Sequence, residues 1–384
     1  KGNFSAGSKG VRLRKILVLA QFAIAVMLII CTGSVGDQMA YIRSKDLGFN
    51  QEQVVYVPLR GQEARAQLTV LKEALKKHPD VLRVAAAAGI RGAGGSNGLM
   101  TVAGSNGEQQ LMTRFSAIDH DFLELMEMQI VQGRNFAKGS VTDSATAVII
   151  NETAARELGW QDAIGKEFVN VGDGPSLQVI GVLRDYHFDS LHNKIDPQMM
   201  YINPNSYRYL LLKVSPSNIS ETLAAVETTW RKIVPERPFE HGFLDENFAR
   251  SYRADERTSS LFTAFSVLAI FIACLGLFGL ASFTVEQKYK EIGIRKVLGA
   301  TIPGLVVQLS KDFAKWIAVA SLIAVPFAYL MMENWLANFV YRTVQQPFTF
   351  VVAAALVIAI ALFTVALQAT RAALSNPVDT LRCE

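Results

Sequence analysis

Four stretches of this chain are each long enough, and free enough of charge, to cross a lipid bilayer as a helix. About 20 mostly apolar residues cover the hydrocarbon core. Residues 16–36, 258–285 and 347–370 contain no Asp, Glu, Lys or Arg, and a further span is predicted at 313–333. In that span Trp316 to Met332 is uncharged, and Lys315 sits at its edge where its stem can snorkel to the interface. Between the first and second spans lies one large polar insert, residues 37–257. The expected architecture is therefore four transmembrane α-helices with an extracytoplasmic α+β domain inserted between helices 1 and 2.

Composition supports this division. Only 19% of the 384 residues are charged and mean hydropathy is +0.23, against about 25% charged in ordinary soluble domains. Disordered, collagenous and disulfide-scaffold classes are excluded. A net charge of +4 is too small for a nucleic-acid binder, and its cations cluster beside the apolar runs, which points to a lipid bilayer. Of the three cysteines, Cys31 and Cys274 fall inside spans and Cys383 is next to last. The insert has none, so apolar burial must hold it together, and no Cys–His spacing resembles a zinc site.

Orientation follows from the Lys/Arg bias of the short loops. Lys1, Lys9, Arg12, Arg14 and Lys15 precede the first span within the segment 1–15. Lys288, Lys290, Arg295, Lys296 and Lys311 lie in the loop 286–312, and Arg371 and Arg382 in the tail 371–384. The connection 334–346 holds only Arg342. Both termini and the middle loop are thus expected in the cytoplasm, with the insert outside.

Within the insert, Leu68 to Lys77 reads as an amphipathic helix with Leu68, Leu71 and Leu75 on one face and lysines opposite. Strands are expected at Val81–Ile90, Thr146–Ile150, Leu177–Leu183 and Tyr209–Val214, and helices at Phe122–Met128 and Ile219–Ile233. Asn151 is placed to cap a helix over Glu152–Leu158 that ends at Gly159. Asp37–Asp46 continues the first span as a polar helix, and Glu240–Arg257 has a helical pattern leading into the second. Together they would form a stalk.

The loop Glu286–Ala300 carries the most informative pattern. Ile294, Val297 and Leu298 share one helical face, and Glu291 lies four residues before Arg295, the favourable order for a helical ion pair. Gly299 can end such a helix; Thr301 can cap the next, with Pro303 tolerated in its first turn. Spacing alone leaves two readings open: a plain interfacial helix, or one that docks a partner.

Catalytic patterns are weak. There is no Gly-x-x-x-x-Gly-Lys-Ser/Thr loop, and the glycine-rich Gly92–Gly98 lacks the lysine, so a loop tip is expected there. Asp185, His187, Asp189 and His192 mix potential metal ligands, but spacings of two and five do not place one set on a helix face, so a satisfied loop is expected. Asp119 and Asp121 flank His120, where a turn that caps the following helix is expected. Gly276 and Gly279, with Ala273 and Ala281, offer a small face for helix packing in span two. No acidic or basic residue lies in the middle of any span, which argues against proton or ion coupling.

The segment Glu291-Ile292-Gly293-Ile294-Arg295-Lys296-Val297-Leu298-Gly299-Ala300 resembles the E-I-G-I-R-K-x-x-G-A signature of the FtsX-like permeases, the MacB-type family of ABC transporter membrane subunits. Other stretches are similar to that family's patterns: Leu123–Phe136, ending Gln-Gly-Arg-Asn-Phe; Val148–Trp160 with Ile164-Gly-Lys166; Ile180–Phe188; and Asn376–Arg382. The resemblance implies a MacB-like periplasmic domain, no catalytic residues, no cofactor, and a coupling role for Glu291–Ala300 on a cytoplasmic ABC ATPase. It further implies a multi-pass protein of the bacterial inner membrane, a second permease half, and a periplasmic adaptor or outer-membrane component as another partner. Mechanotransmission acting on a lipoprotein, peptide or amphipathic drug is the function it implies; FtsX-like control of an extracellular cell-wall hydrolase is a variant. The chain also resembles the double-length permeases of Bacteroidota-type bacteria, and the resemblance implies that Gly10–Lys15 and the following span open the second half of such a permease, as the Lys1 start suggests. A membrane-anchored ligand receptor is the rival expectation, set back by a tail of 14 residues after Thr370.

Overall fold

The computed structural model describes residues 8–90, 97–104, 107–169, 176–187, 190–250, 252–287 and 301–374. The chain divides into two compact units: Lys1–Ser44 with Ala254–Glu384, and Lys45–Arg253.

In hydrocarbon a backbone has no water to bond, so charge-free sequence must satisfy itself as helix. Four long helices result, Ser8–Ser44, Arg253–Gln287, Ile302–Leu336 and Pro347–Leu374. All four are long and apolar enough to cross a membrane, and the second unit is inserted between the first two. Their buried residues recur three or four apart, which places them on one stripe per helix. Phe22, Val26 and Ile30 meet Ala273, Leu277 and Ala281, then Ile317, Ala320, Ala324 and Ala328, then Ala353, Val357, Ala361 and Val365. Alanines dominate the third stripe and alternate with valines in the fourth, because small residues let helices approach where no hydrophobic effect drives them together. Bulky residues such as Leu322, Phe348 and Phe363 face outward. The small face expected on the second helix is divided. Ala273 and Ala281 are buried, Gly276 lies against Gln21, and Gly279 has open space beside it.

The inserted unit contains two sheets. The first has order β11-β1-β10-β2, from β1 (Val54–Pro58), β2 (Val81–Ala87), β10 (Tyr209–Val214) and β11 (Gly242–Phe243), all antiparallel. Alternation puts Val55, Val57, Leu210 and Leu212 under the helices Leu68–Leu75 and Ile219–Ile233, together with Leu71, Leu75, Val226 and Trp230. The opposite face gives Val54, Ala85, Ala87 and Leu211 to a second core with Phe122, Leu123, Leu125 and Phe136.

The second sheet runs β5-β8-β6-β9-β4-β3-β7, and β7 pairs back onto β8. Its strands are β3 (Asn97–Gly104), β4 (Gly107–Ala117), β5 (Ile130–Gly133), β6 (Ala147–Asn151), β7 (Glu167–Val169), β8 (Leu177–Leu183) and β9 (Gln198–Tyr201). The return pairing closes six strands into a ring, with β5 as an extra strand on β8. Closure covers the edge that β7 would otherwise present, and β5 keeps an outer edge. Met100, Val102, Leu111, Val148, Ile150, Phe168, Val179 and Met199 form its core.

Three local expectations are corrected. The helix expected from Glu240 begins at Leu244, because Tyr56 and Val55 of β1 offer an unpaired edge that Gly242 and Phe243 take as a strand. The strand expected to Ile90 leaves its sheet after Ala87, since the Ala88 N–H bonds to the Ala117 carbonyl of β4. The helix at Phe122 lasts only to Leu125, ended by Glu127 in a left-handed conformation (φ 54°). That strained residue is held by the Asn50 amide, 3.0 Å from its carboxylate.

The lysine side of the helix Leu68–Leu75 is not a solvent face. Lys72 is buried and bonds the carboxylates of Asp119 and Asp121, the latter at 3.0 Å, and Lys76 reaches Asp121 at 3.1 Å. Asp119 also accepts the Ala86 N–H at 2.8 Å, while its own N–H bonds the Ala86 carbonyl. Burial alone would lower the Lys72 pKa, but the two carboxylates overcome it and hold the ammonium above its usual range. The expected capping role of this turn is not what its side chains do: neither carboxylate caps the helix Phe122–Leu125.

Breaking a buried pair by removing one partner costs about 3–5 kcal/mol. Lys72→Met is expected to destabilise the 45–253 unit by that order, read as a lower denaturant midpoint for its protease resistance. Lys72→Met with Asp119→Asn keeps an acceptor for Ala86 and should recover more than half of the loss.

Candidate functional site

The segment assigned by its pattern to partner coupling, Glu291–Ala300, lies outside the described residues, as do most of Gly92–Gly98 and all of Asn376–Arg382. Its frame is described. The second membrane helix runs to Gln287, and the third starts at Ile302 after Thr301 in extended backbone, with Pro303 in the first turn. The Thr301 side chain makes no capping bond, so the expected hydroxyl cap is absent there. Two cations of the first helix reach across to the others at this end. The Arg14 guanidinium lies 4.8 Å over the Phe283 ring and the Lys15 ammonium 5.9 Å over the Trp316 ring. Exposed pairs of this kind contribute about 0.5–1 kcal/mol each, enough to bias orientation.

The other end of the bundle is held by one amide. Gln38 is fully buried; its Nε2 donates to the Tyr341 carbonyl at 3.0 Å and its Oε1 accepts the Thr343 N–H at 2.8 Å. The first helix therefore holds the connection between the third and fourth. Arg342 and Gln345 fasten the same connection to Glu333 at 2.9 and 3.2 Å. The second helix is joined by single polar contacts: Thr32 to Ser266 at 2.9 Å, Gln368 to Ser282 at 2.6 Å, and Arg43 to Glu256 at 2.8 Å.

In the inserted unit the sequence motifs resolve into structural knots. Gly133 takes a positive φ of 74°, and the Arg134 that follows grips Asp143 through both nitrogens, at 2.6 and 2.9 Å. Asp143 is buried and also accepts the N–H groups of Ala137 and, through Ser140 capping, closes the first turn of the helix Val141–Thr146. Phe136 enters the core. Asn151 caps the helix Glu152–Glu157 by accepting the Ala154 N–H at 3.1 Å, as its pattern predicts. It also accepts the Gln198 N–H and donates to Asp185 and the Asp196 carbonyl.

Asp185 is therefore an anchor. Its two oxygens take the Thr153 N–H at 2.8 Å, the Thr153 hydroxyl at 2.7 Å and the Asn151 amide. His187 is buried, which depresses its pKa, and His192 bonds Ser190 at 2.6 Å. Asp189 lies outside the described residues, and among those described no group of three or more ligating side chains could hold a metal. Sequence reasoning missed Gln38, Asp143 and the anchoring role of Asp185. The only signal for the first was an amide two residues past an apolar span.

Residues 16–229 match the family described as the MacB-like periplasmic core domain, and residues 263–377 the FtsX-like permease C-terminal. The macrolide export ATP-binding/permease protein MacB of Bartonella quintana is 24% identical over 210 residues, 49% of this chain and 31% of that protein. Its counterpart in Chromobacterium violaceum is 23% identical over 294 residues, 70% of this chain and 43% of the relative. The chain thus spans less than half the length of these relatives. The periplasmic region of MacB from Actinobacillus actinomycetemcomitans aligns with a TM-score of 0.39 at 14% identity, covering 53% of this chain and 94% of that one. The extracellular domain of the transporter YknZ from Gram-positive bacteria aligns with a TM-score of 0.33 at 16% identity, covering 50% and 98%.

Arg134 holds the Asp143 carboxyl down, from 3.8 to about 2. A depressed acid stabilises the fold fully above its unfolded pKa and loses that contribution as pH falls through the folded one. Asp143→Asn should therefore be less stable at pH 7, by up to about 2 kcal/mol before solvent screening of the half-exposed Arg134. The gap to the parent protein should close between about pH 4 and pH 2. Gln38→Leu leaves the Thr343 N–H and the Tyr341 carbonyl without their amide, a cost of about 1–3 kcal/mol. Hydrogen exchange of Thr343 should accelerate at least tenfold.

Proposed function

The chain belongs to the family of FtsX-like permeases that carry a MacB-like periplasmic core domain, and from that membership we propose that it is the membrane-spanning subunit of an ABC transporter. It is a multi-pass membrane protein; the Lys/Arg bias of its loops supports the inner membrane with the inserted unit in the periplasm. In this reading the subunit is not itself catalytic. A cytoplasmic ATPase binds and hydrolyses ATP, and its movement is received by Glu291–Ala300.

The observation that carries the reading is continuity. The second membrane helix is one unbroken rod from Arg253, at the end of the inserted unit, to Gln287, beside the coupling segment. At 1.5 Å per residue it spans about 50 Å. A displacement applied at Gln287 cannot dissipate in a loop before reaching Arg253. The first helix runs in parallel connection to Ser44, and Arg43–Glu256 ties the two far ends. Mechanotransmission of this kind moves the periplasmic unit without drawing cargo through the bundle. Uncharged span centres agree with that. The cargo class is a lipoprotein, peptide or amphipathic drug, and a second permease half, in the same polypeptide or another, completes the bundle.

The test is vanadate-sensitive ATP hydrolysis by an ATPase that co-purifies with the chain from membranes. Arg295→Glu and Gly293→Trp are expected to weaken ATPase association at least tenfold, about 1.4 kcal/mol, with membrane insertion and protease resistance of the 45–253 unit unchanged. Full association in either variant would remove the coupling role from this segment.

A further inference from the structure

The cations at the cytoplasmic end of the bundle do more than face water. Lys311 and Lys315 are exposed and lie one turn apart on the third membrane helix, and Arg14 and Lys15 are exposed on the first. Trp316, directly after Lys315, receives the Lys15 ammonium over one face of its ring yet remains 47% exposed. Among the described residues none of these four cations is paired with a carboxylate. In sequence the acidic residue nearest Lys311 and Lys315 is Asp312, and the one nearest Arg14 and Lys15 is Asp37, so a positive surplus remains at this end.

What lies below them narrows the ligand. The face that carries Lys311 and Lys315 continues at the same helical spacing through Val319 to Leu322, which is 79% exposed. The ring of Trp316 leads to Ile323 and to Phe327, which is 63% exposed. A cationic head region with an indole at the boundary, followed by an uncovered apolar stripe running into the hydrocarbon, has the dimensions and polarity order of a phospholipid. A soluble nucleotide or an acidic peptide would satisfy the lysines and leave the stripe unused.

We infer that this face is a binding site for an anionic phospholipid, whose phosphate is held by Lys15 and Lys315 beside Trp316 and whose acyl chain lies along Val319 and Leu322. Lys311, one turn further toward the cytoplasm, adds attraction for a second phosphate, as on a diphosphatidylglycerol. The bound headgroup offsets the mutual repulsion of the cations and fixes the first helix against the third at the end next to the coupling segment. The site requires only that the chain spans the bilayer, and not that an ATPase docks on it.

The full chain is reconstituted in phosphatidylcholine vesicles containing a minor fraction of either brominated phosphatidylglycerol or brominated phosphatidylcholine, and tryptophan quenching is recorded without ATPase or ATP. Quenching by the anionic lipid is expected to exceed that by the neutral one at least twofold. The excess should vanish in Trp316→Phe, which removes the reporter, and in Lys15→Gln/Lys315→Gln, which removes the charge. Lys15→Arg/Lys315→Arg should restore it, separating loss of charge from loss of fold. Equal quenching by the two lipids, or an excess that survives Lys15→Gln/Lys315→Gln, would overturn the proposal. So would protection of Lys15 and Lys315 from acetylation by an added ATPase in pure phosphatidylcholine, since the site would then belong to a protein.

Discussion

An ammonium and two carboxylates, withdrawn from water where the sheets of the inserted unit meet, set the arrangement of everything around them. Lys72 comes from a helix on the first sheet, and Asp119 and Asp121 from the loop that follows β4 of the second. Asp119 extends the junction through both backbone groups of Ala86 in β2. Tyr207 completes it from a third direction, donating to the Ile118 carbonyl at 2.8 Å. A buried ion pair is weak evidence for net stability, because desolvation offsets much of its attraction. It bears on geometry: a packing of the two sheets that separated Lys72 from Asp119 would leave an uncompensated buried charge, at a cost of about 3–5 kcal/mol. The apolar cores on either side are less particular, since hydrophobic contact has no direction.

The membrane unit is organised on the opposite plan. Its middle is a stripe of alanines and β-branched residues with few polar contacts, and its specificity sits at the two ends. Gln38 fixes the first helix to the connection between the third and fourth, and Arg14 and Lys15 reach aromatic rings at the other end. The second helix is joined through isolated hydroxyl and amide contacts. Such contacts contribute modestly in lipid, so among the described residues the second helix is the one whose attachment is easiest to remake.

The motifs of the inserted unit that resemble a family signature are hydrogen-bonded knots among the described residues. Arg134 and Asp143 tie a turn to a helix start; Asn151 and Asp185 bring together a helix cap, a strand end and a loop. Each uses a charged or amide side chain to satisfy several backbone groups at once, which is why those residue types recur at those places.

What the sequence determined by itself is the local and periodic part. Charge-free runs of helical length are satisfied as membrane helices, the short apolar run within Tyr209–Val214 marks a strand buried on both faces, and Asn151 before Glu152 marks a helix start. The segment Glu291–Ala300, whose coupling role is only what its resemblance to a family signature implies, lies outside the described residues. Tertiary structure decided the rest. Lys72 reads as a solvent-facing lysine until a loop 47 residues away supplies its carboxylates, and Gln38 reads as a stalk residue until a connection 303 residues away needs an amide. Gly242 and Phe243 follow a helical pattern, but an open strand edge on β1 claims them. The closure of β7 onto β8 leaves no trace in either strand. In each case the partner is distant along the chain, and a polar group or strand edge has no preference of its own until folding removes the water that would have served it.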